Sequence, residues 1–518
     1  MRIRIAMILA LGAILTVAPA ARAAGDKTGT ALTLDDCIAR AVRHNLNVAV
    51  EVVGPELAAA SLARTREKYL PQLDLRFNGD SQEQPSYWFL QGEETIVSRL
   101  NTYGFSVVQQ VPMGGQASLS LQSYMSDTNQ AYQLINPRYG STLRFDFNQP
   151  LLRNFGAAAS RREILVARNN LDISESRFKT VLADTIYQVQ EAYWNLVYAA
   201  DNLAVRRQTL ELARDLLAKN RREAEIGTLA PIEVLNAETV VAQREADILQ
   251  AEAMVSRAED VLKALINLGG DGGAEETQVV PTDRPVFRET KVSTENILAG
   301  ALAGRPELES SRAGLANSQV NFGFARNQLL PRLDFTLSYW SPGISGDRIL
   351  YAGDNPFLGI IIGKEKGSAA DSIRDAFRFL YENWTLGLTL SVPVADLVGR
   401  ANYATAKLEL EQSRAGLKAQ EQQIELEVRD AVRSVETDAK RVAAYRMARE
   451  LAEKRLEAEN KKLGVGLSTN YFVLQFQEEA ANARAMEIKA LVDYNLSLAR
   501  IDKVSGRSLT AHNITLMR

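Results

Sequence analysis

The stretch GIIIGKEKGS, from Gly359 to Ser368, comes nearest to a recognisable chemical motif, with glycines that could let backbone amides approach a phosphate and a lysine after them. The spacing fails. A phosphate-cradling loop needs one more residue between the glycines and a Ser or Thr after the lysine, where Glu365 stands. Metal and redox chemistry are as poorly supplied: Cys37 is the one cysteine, and His44 and His512 are the two histidines. These make neither an intrachain disulfide nor a His/Cys metal site. No HExxH pair or nucleophile elbow occurs, and acid-rich runs such as EQQIELEVRD read as solvated helix faces rather than paired catalytic carboxylates. The reading is of a chain that is not an enzyme, with no catalytic residue, no metal and no cofactor. The 60 basic and 63 acidic residues leave a net charge of -3, which points away from nucleic acid.

With no reactive centre to position, the elements themselves carry the function. Arg2 and Arg4 precede an apolar run from Ile5 to Ala18, then Pro19 and an A-x-A site, Ala21-Arg22-Ala23. This reads as a cleaved secretory signal over 1–23. Cys37 lies too far downstream to accept a lipid. It sits in a predicted helix start, TLDDCIARAV, with Thr33 as cap and Asp36 completing a variant capping box. Past the signal no uninterrupted apolar run is long enough for a membrane-spanning helix. The exported chain is therefore soluble or crosses a membrane as a barrel.

The chain is duplicated. YLPQLDLRF, from Tyr69, returns as LLPRLDFTL, from Leu329; NQPLLRNFG, from Asn148, as SVPVADLVG; and EIGTLAPIEVLNAE, from Glu225, as GVGLSTNYFVLQFQE. The first repeat spans 30–273, with an opening helix Leu34–Lys68, strands over about 72–149 and a helical hairpin over about 156–268. A linker, 274–292, precedes the second repeat at 293–509, with an opening helix Thr294–Gln328, strands over about 332–392 and a hairpin over about 399–505. The long arm of each hairpin lacks proline and keeps a helical apolar period, which predicts helices on the order of 100 Å. Helices so long and so charged need partner helices along their length. Each opening helix plus a return helix about matches one long arm, so the two are expected to stack end to end beside it.

The strands alternate in residues of one kind and the other. Leu73, Leu75 and Phe77 oppose Asp74, Arg76 and Asn78; Leu143, Phe145 and Phe147 oppose Arg144, Asp146 and Asn148; Leu333, Phe335 and Leu337 oppose Asp334, Thr336 and Ser338. The same pattern runs through YGFSVVQQV, ASLSLQS and WTLGLTLSV. Long connections at one end and the short Pro112–Gly115 turn at the other suit a lipid-facing barrel strand set with a wet interior. The alternative is a periplasmic structural coiled-coil protein with a soluble β-sheet region. Six strands are too few to close a barrel alone, so a barrel requires an oligomer.

The order of these parts, all after the signal occurring twice, resembles the TolC family of outer-membrane efflux and secretion channels over essentially the whole mature chain. The resemblance implies an α+β membrane protein, a trimeric transmembrane β-barrel continued by a long periplasmic α-helical barrel. It also implies an outer-membrane exit duct with a periplasmic extension, a homotrimer set in outer-membrane lipid and docked on a periplasmic adaptor (membrane fusion) protein of an inner-membrane transporter, in a tripartite efflux pump or type I secretion system. Cargo stays open among drugs, metal ions and protein. Family members have four barrel strands per chain; here the first repeat offers four by itself, so the hairpin Tyr103–Ser123 is expected to widen the barrel or to cover one end. At the periplasmic tip, the two pore aspartates of the family correspond here to Phe472 and Gln475, with first-repeat counterparts Glu233 and Asn236. The latching Tyr and Arg correspond to Leu463 and Ser468. The expected gate thus has Glu233 as its charge and Phe472 as an apolar plug, and the turns bearing Gly227, Thr228, Gly466, Leu467 and Ser468 are expected to touch the adaptor.

Overall fold

The structure, a computed structural model, describes residues 5–6, 30–268, 278–358 and 360–516. The expected signal over 1–23, Ile5 and Ala6 apart, and the segment 269–277 at the join of the repeats lie outside the described residues. In chain order the principal elements are α1 (Leu34–His44), α2 (Leu46–Glu67), β1 (Gln72–Pro85), β2 (Thr95–Gln110), β3 (Gln116–Thr128), β4 (Ile135–Pro150), α3 (Arg162–Glu225), α4 (Pro231–Ile266), α5 (Thr294–Gly304), α6 (Pro306–Gln328), β5 (Arg332–Tyr351), β6 (Ile361–Glu365), α7 (Ala369–Phe377), β7 (Asn383–Ser391), α8 (Leu397–Gly464) and α9 (Asn470–Val504). Two compact units result: Ala59–Asn170 with Gly314–Arg414, and the remainder of the chain.

The first unit is built on one antiparallel sheet in the order β7-β5-β4-β3-β2-β1, with β6 beside the far end of β5. Register decides what each face carries. Leu75 lies opposite Phe105, Phe105 opposite Leu121, and Leu121 opposite Leu143. Across the repeat boundary Phe145 faces Tyr339 and Phe147 faces Leu337, which in turn faces Leu386. Pairing puts directly opposed residues on the same face, so every apolar set falls on one side of all six strands and every polar set on the other. On the polar side Arg144 pairs with Asp146 at 2.8 Å and Ser338 donates to Asp146 at 2.5 Å. The apolar side is open, with Leu75 76% exposed.

The connections at the far end differ from expectation. Strands β1 to β4 run well past the apolar band, as in NGDSQEQP at the end of β1, and leave only 86–94 and 129–134 between them. Water on both faces lets a strand be polar throughout and still keep its ladder. GIIIGKEKGS is not a loop: Ile361–Glu365 pairs with Arg348–Tyr351 as β6, and its backbone groups serve that ladder rather than a phosphate. Helix α7 then opens at a capping box, Ser368 and Asp371, and packs on the sheet.

In the second unit the expected opening helices are each broken once. Instead of running through to Lys68, α1 ends at His44; Asn45 turns its side chain to accept from Asn47 N at 2.9 Å and Val48 N at 3.2 Å, capping α2. In the other repeat Pro306 forces Arg305 into an extended conformation, φ -74° and ψ 126°, between α5 and α6. The capping box at Thr33 and Asp36 forms. Each return helix ends against the opening helix of its own repeat: Asn45 Nδ2 donates to Leu265 O at 2.8 Å, and Gly300 and Gly506 lie against Ser505 and Gly304.

Two matched cores follow. In one, Ile38 and Val42 pack with Leu182, Ile186, Val189 and Tyr193 of α3 and with Leu262 and Ile266 of α4. In the other, Ile297 and Ala301 pack with Ile424, Val428, Val432 and Val435 of α8 and with Tyr494 and Ile501 of α9. The two tyrosines also pin the linker, Tyr193 through Asp283 at 3.1 Å and Tyr494 through Arg288 O at 2.5 Å. Helix α2 is long and apolar enough to cross a membrane, with a window of mean hydropathy 1.3, but Glu51 within it pairs with Arg177 of α3 at 3.0 Å.

At the break after α5, buried Arg305 holds Glu427 at 2.5 Å and Glu307 at 3.2 Å. Burial pushes the Glu427 carboxyl up, yet the hydrogen bonds from Arg305 and Gln423 outweigh it and leave the group below its ordinary 4.5. Stability from this pair is therefore full above the ordinary value and is lost as pH falls through the depressed one. Arg305→Met is expected to cost about 1–3 kcal/mol at neutral pH by leaving the half-buried carboxylates of Glu427 and Glu307 without their partner. Thermal melts of both proteins should converge as the solution is acidified below that range; a constant gap across pH rules the pair out.

Candidate functional site

Two helical turns form the tips of the hairpins, and they are built alike. After α3, Gly227 N bonds to Ala224 O at 3.0 Å and Thr228 N to Glu223 O at 2.9 Å; after α8, Gly466 N bonds to Leu463 O at 3.1 Å and Leu467 N to Lys462 O at 2.9 Å. Both are Schellman closures. The glycines sit at φ 81° and 77°, where a side chain would cost roughly 1–2 kcal/mol, and no atom lies within 4 Å of the position a Cβ would take. Glycine is needed for its backbone, not for space. Around them Ile226, Val465 and Leu467 stand exposed. Ser468 is half-buried, and its hydroxyl donates to Glu459 at 2.6 Å. That bond, with Lys462 adding to it, holds the Glu459 carboxyl below the usual range.

The four residues expected at the gate share no hydrogen bond across the two hairpins among the described residues. Glu233 is half-buried at the start of α4, and its carbonyl accepts weakly from Asn220 at 3.4 Å. Asn236 is exposed, as is Gln475, which donates to Glu479 at 3.3 Å. Phe472 is 46% exposed and lies between Tyr471, at 5.6 Å in an edge contact, and Phe476, at 6.4 Å stacked. Among the described residues no hydrogen bond or ring contact joins Glu233 or Asn236 to Phe472 or Gln475. Leu463 packs beside a small core of Ala213, Leu216, Val473 and Leu474.

Beside that small core, the first hairpin meets α9 through a set of polar contacts that the sequence does not announce. Asn470 Nδ2 donates to Asn220 Oδ1 at 2.8 Å, both side chains being buried. Higher up, Arg206 pairs with Glu478 at 3.0 Å. Between them lies Arg244 of α4, 4% exposed, donating to Thr209 O at 2.7 Å, Gln477 Oε1 at 3.1 Å and Leu474 O at 3.3 Å. Among the described residues it has no ion-pair partner. Burial lowers its guanidinium below the usual arginine range, against the more distant pull of Glu478 and Asp247, and the group stays charged. A signal for it exists: Ala237, Arg244 and Ala251 recur every seventh position along the buried seam of α4. A lone polar residue in such a seam fixes register and partner at a cost in stability.

Comparison with known proteins places this geometry. A family model described as outer membrane efflux protein matches residues 116–268 and 297–507. The alkaline protease secretion protein AprF of Pseudomonas aeruginosa is 23% identical over 378 residues, 71% of this chain and 69% of the relative. Nodulation protein T of Rhizobium leguminosarum bv. trifolii is 20% identical over 464 residues, 89% of this chain and 82% of its own length. Among solved structures, the Campylobacter jejuni CmeC outer membrane channel has a TM-score of 0.64 at 16% identity, covering 92% of this chain and 86% of its own. The open state of the Neisseria gonorrhoeae MtrE outer membrane channel has a TM-score of 0.61 at 18% identity, covering 92% and 89%.

Removing Arg244 leaves a cavity and two carbonyls without their third-party donor. Arg244→Ala should cost about 1–3 kcal/mol, seen as a lower apparent melting temperature, and should slow formation of a disulfide engineered between Asn220→Cys and Asn470→Cys. An unchanged cross-linking rate would show that the α3 to α9 contact does not depend on Arg244.

Proposed function

The chain belongs to the outer membrane efflux protein family, and from that premise we propose that three copies close their sheets into one barrel around an exit duct for exported cargo. It is an outer-membrane channel with a periplasmic extension. The observation that carries the trimer is the pair of open sheet edges. β1 and β7 each have one neighbour, and their apolar sides are exposed along their length. Lipid does not tolerate unpaired strand edges, so β1 of one copy must pair with β7 of the next. Direction permits this. Neighbouring strands alternate across all six, so β7 of one copy runs antiparallel to β1 of the following one. A soluble sheet would need a covering layer on its apolar face, whereas Leu75, Phe77, Leu386 and Leu388 are bare.

The hairpin expected to widen the barrel or cover one end lies within the sheet, as β2 and β3 between β1 and β4. With it in place the ring has about eighteen strands, wide enough for an aqueous channel. Cargo passes down its gradient or under the drive of an inner-membrane transporter, and the turns around Gly227 and Gly466 meet the adaptor protein through Ile226, Val465 and Leu467. Phe472 narrows the periplasmic end by excluding water, and Glu233 sets the charge there.

Electron cryo-microscopy of the protein in detergent is the direct test of the ring, since about eighteen strands support the wide barrel and about twelve overturn it. Single-channel recording in planar bilayers tests the constriction: Phe472→Ala should raise the closed-state leak, and a leak equal to that of the unaltered protein removes the plug.

A further inference from the structure

The apolar side of the sheet has a gap. On β4 and β5, where alternation continues the set Leu143, Phe145, Phe147 and Leu337, Tyr339, the next residues toward the far end are Ser141, Ser341 and Gly343. A strand tilted by about 40° needs roughly ten residues to cross an apolar band of about 25 Å, which on β5 is the climb from Leu333 to Gly343. The gap therefore falls at the upper edge of the band. Left bare, it would turn hydroxyls toward hydrocarbon.

Helix α7 fills it. Ser372 Oγ lies 2.8 Å from Ser141 Oγ, which is 2.9 Å from Ser123 Oγ, and a Cβ on Gly343 would fall 2.1 Å from Ser372 O. The helix starts near Gly346, which Gly367 approaches closely, and its end brings Phe379 to 5.9 Å from the ring of Tyr339. It thus descends β5 from the loop end toward the apolar band, on the apolar side. Its far surface is not finished for water alone. Phe377 is 54% exposed, and Phe379, Leu380 and Tyr381 follow it, exposed, into Trp384 of β7. Of the nearby cations Arg374 is tied to Asp371 at 3.1 Å, whereas exposed Arg378 has no ion-pair partner among the described residues.

We infer that the segment from Phe377 to Trp384 is an interfacial anchor seated in the outer leaflet, its aromatic residues at the boundary of acyl chain and headgroup and Arg378 on a lipid phosphate. Aromatic residues at such a boundary with an adjoining cation are what a lipid surface recognises. A second copy of the chain is a poorer fit for α7 itself, because the helix lies over β4 and β5, one strand in from the open edge at β7 and far from the edge at β1. The inference rests on the reading of the apolar side as lipid-facing.

Site-directed spin labelling separates the two. Cys37 is fully buried and can be left in place, so single variants Phe377→Cys, Ala370→Cys and Leu388→Cys are labelled with a nitroxide and reconstituted in vesicles of phosphatidylglycerol. The label at Leu388 should read as immersed, relaxed by oxygen more than by a water-soluble nickel chelate. If it reads as aqueous, the barrel reading itself fails. With Leu388 immersed, the label at Phe377 should also favour oxygen and the label at Ala370 should favour nickel. A Phe377 label as open to nickel as that at Ala370 overturns the anchor, and one shielded from both reagents assigns the surface to protein and overturns it equally. Arg378→Gln should abolish the rise in melting temperature on moving from phosphatidylcholine to phosphatidylglycerol vesicles; a rise of the same size removes the phosphate contact.

Discussion

A backbone amide or carbonyl in hydrocarbon must have a partner inside the protein, because water is not there to supply one. This one constraint reaches most of the molecule. In the proposed duct it is what brings the two bare edges of the sheet against neighbouring copies, and so makes a chain of six membrane strands a subunit. The same proposal asks the long helices of neighbouring copies to pack in a ring. Their length follows, since helices with charged outer faces have no reason to run on the order of 100 Å except in company.

Duplication makes the company economical. Both cores join an opening helix, a long helix and a return helix, and both place a tyrosine where the linker crosses: Tyr193 on Asp283, Tyr494 on Arg288. Both opening helices also break at the corresponding place, yet by different chemistry. Asn45 breaks one by capping the next helix with its side chain; Pro306 breaks the other by restricting the residue before it. The bend is thus a requirement of the architecture that two sequences satisfy separately. Arg305, buried at the second bend, meets Glu427, while Asn45 at the first needs no charge at all.

Much of this was readable from residues because the environments impose periods. Lipid on one face and water on the other dictate the alternation of LDLRF and LDFTL, and register in the sheet puts those sets on common faces. The capping box at Thr33 was legible for the same kind of local reason. The identical device at Ser368 and Asp371 is masked by the apolar run GIIIG before it, and α7 with it. Where β1 leaves the membrane both faces meet water, alternation lapses, and NGDSQEQP reads as loop although it is strand. The break at Asn45 hides because that residue is itself buried and falls in step with the apolar positions around it. Arg244 is inconspicuous, since one cation on a charge-laced helix looks like surface. Only the sevenfold spacing with Ala237 and Ala251 sets it apart. Which way Glu233 and Phe472 point depends on how neighbouring helices are rotated, a property of the assembly that no local period encodes.

The two tip turns close through backbone bonds, joined in the first by Thr228 Oγ1 donating to Glu223 O at 2.9 Å, and the space beside both glycines is empty. Apart from those glycines, most side chains there have no folding duty. Ile226, Val465 and Leu467 can therefore be exchanged over generations without disturbing the hairpins that present them. A lineage acquiring a new docking partner would be free to rewrite this end of the molecule first, keeping the frame and changing the lettering on it.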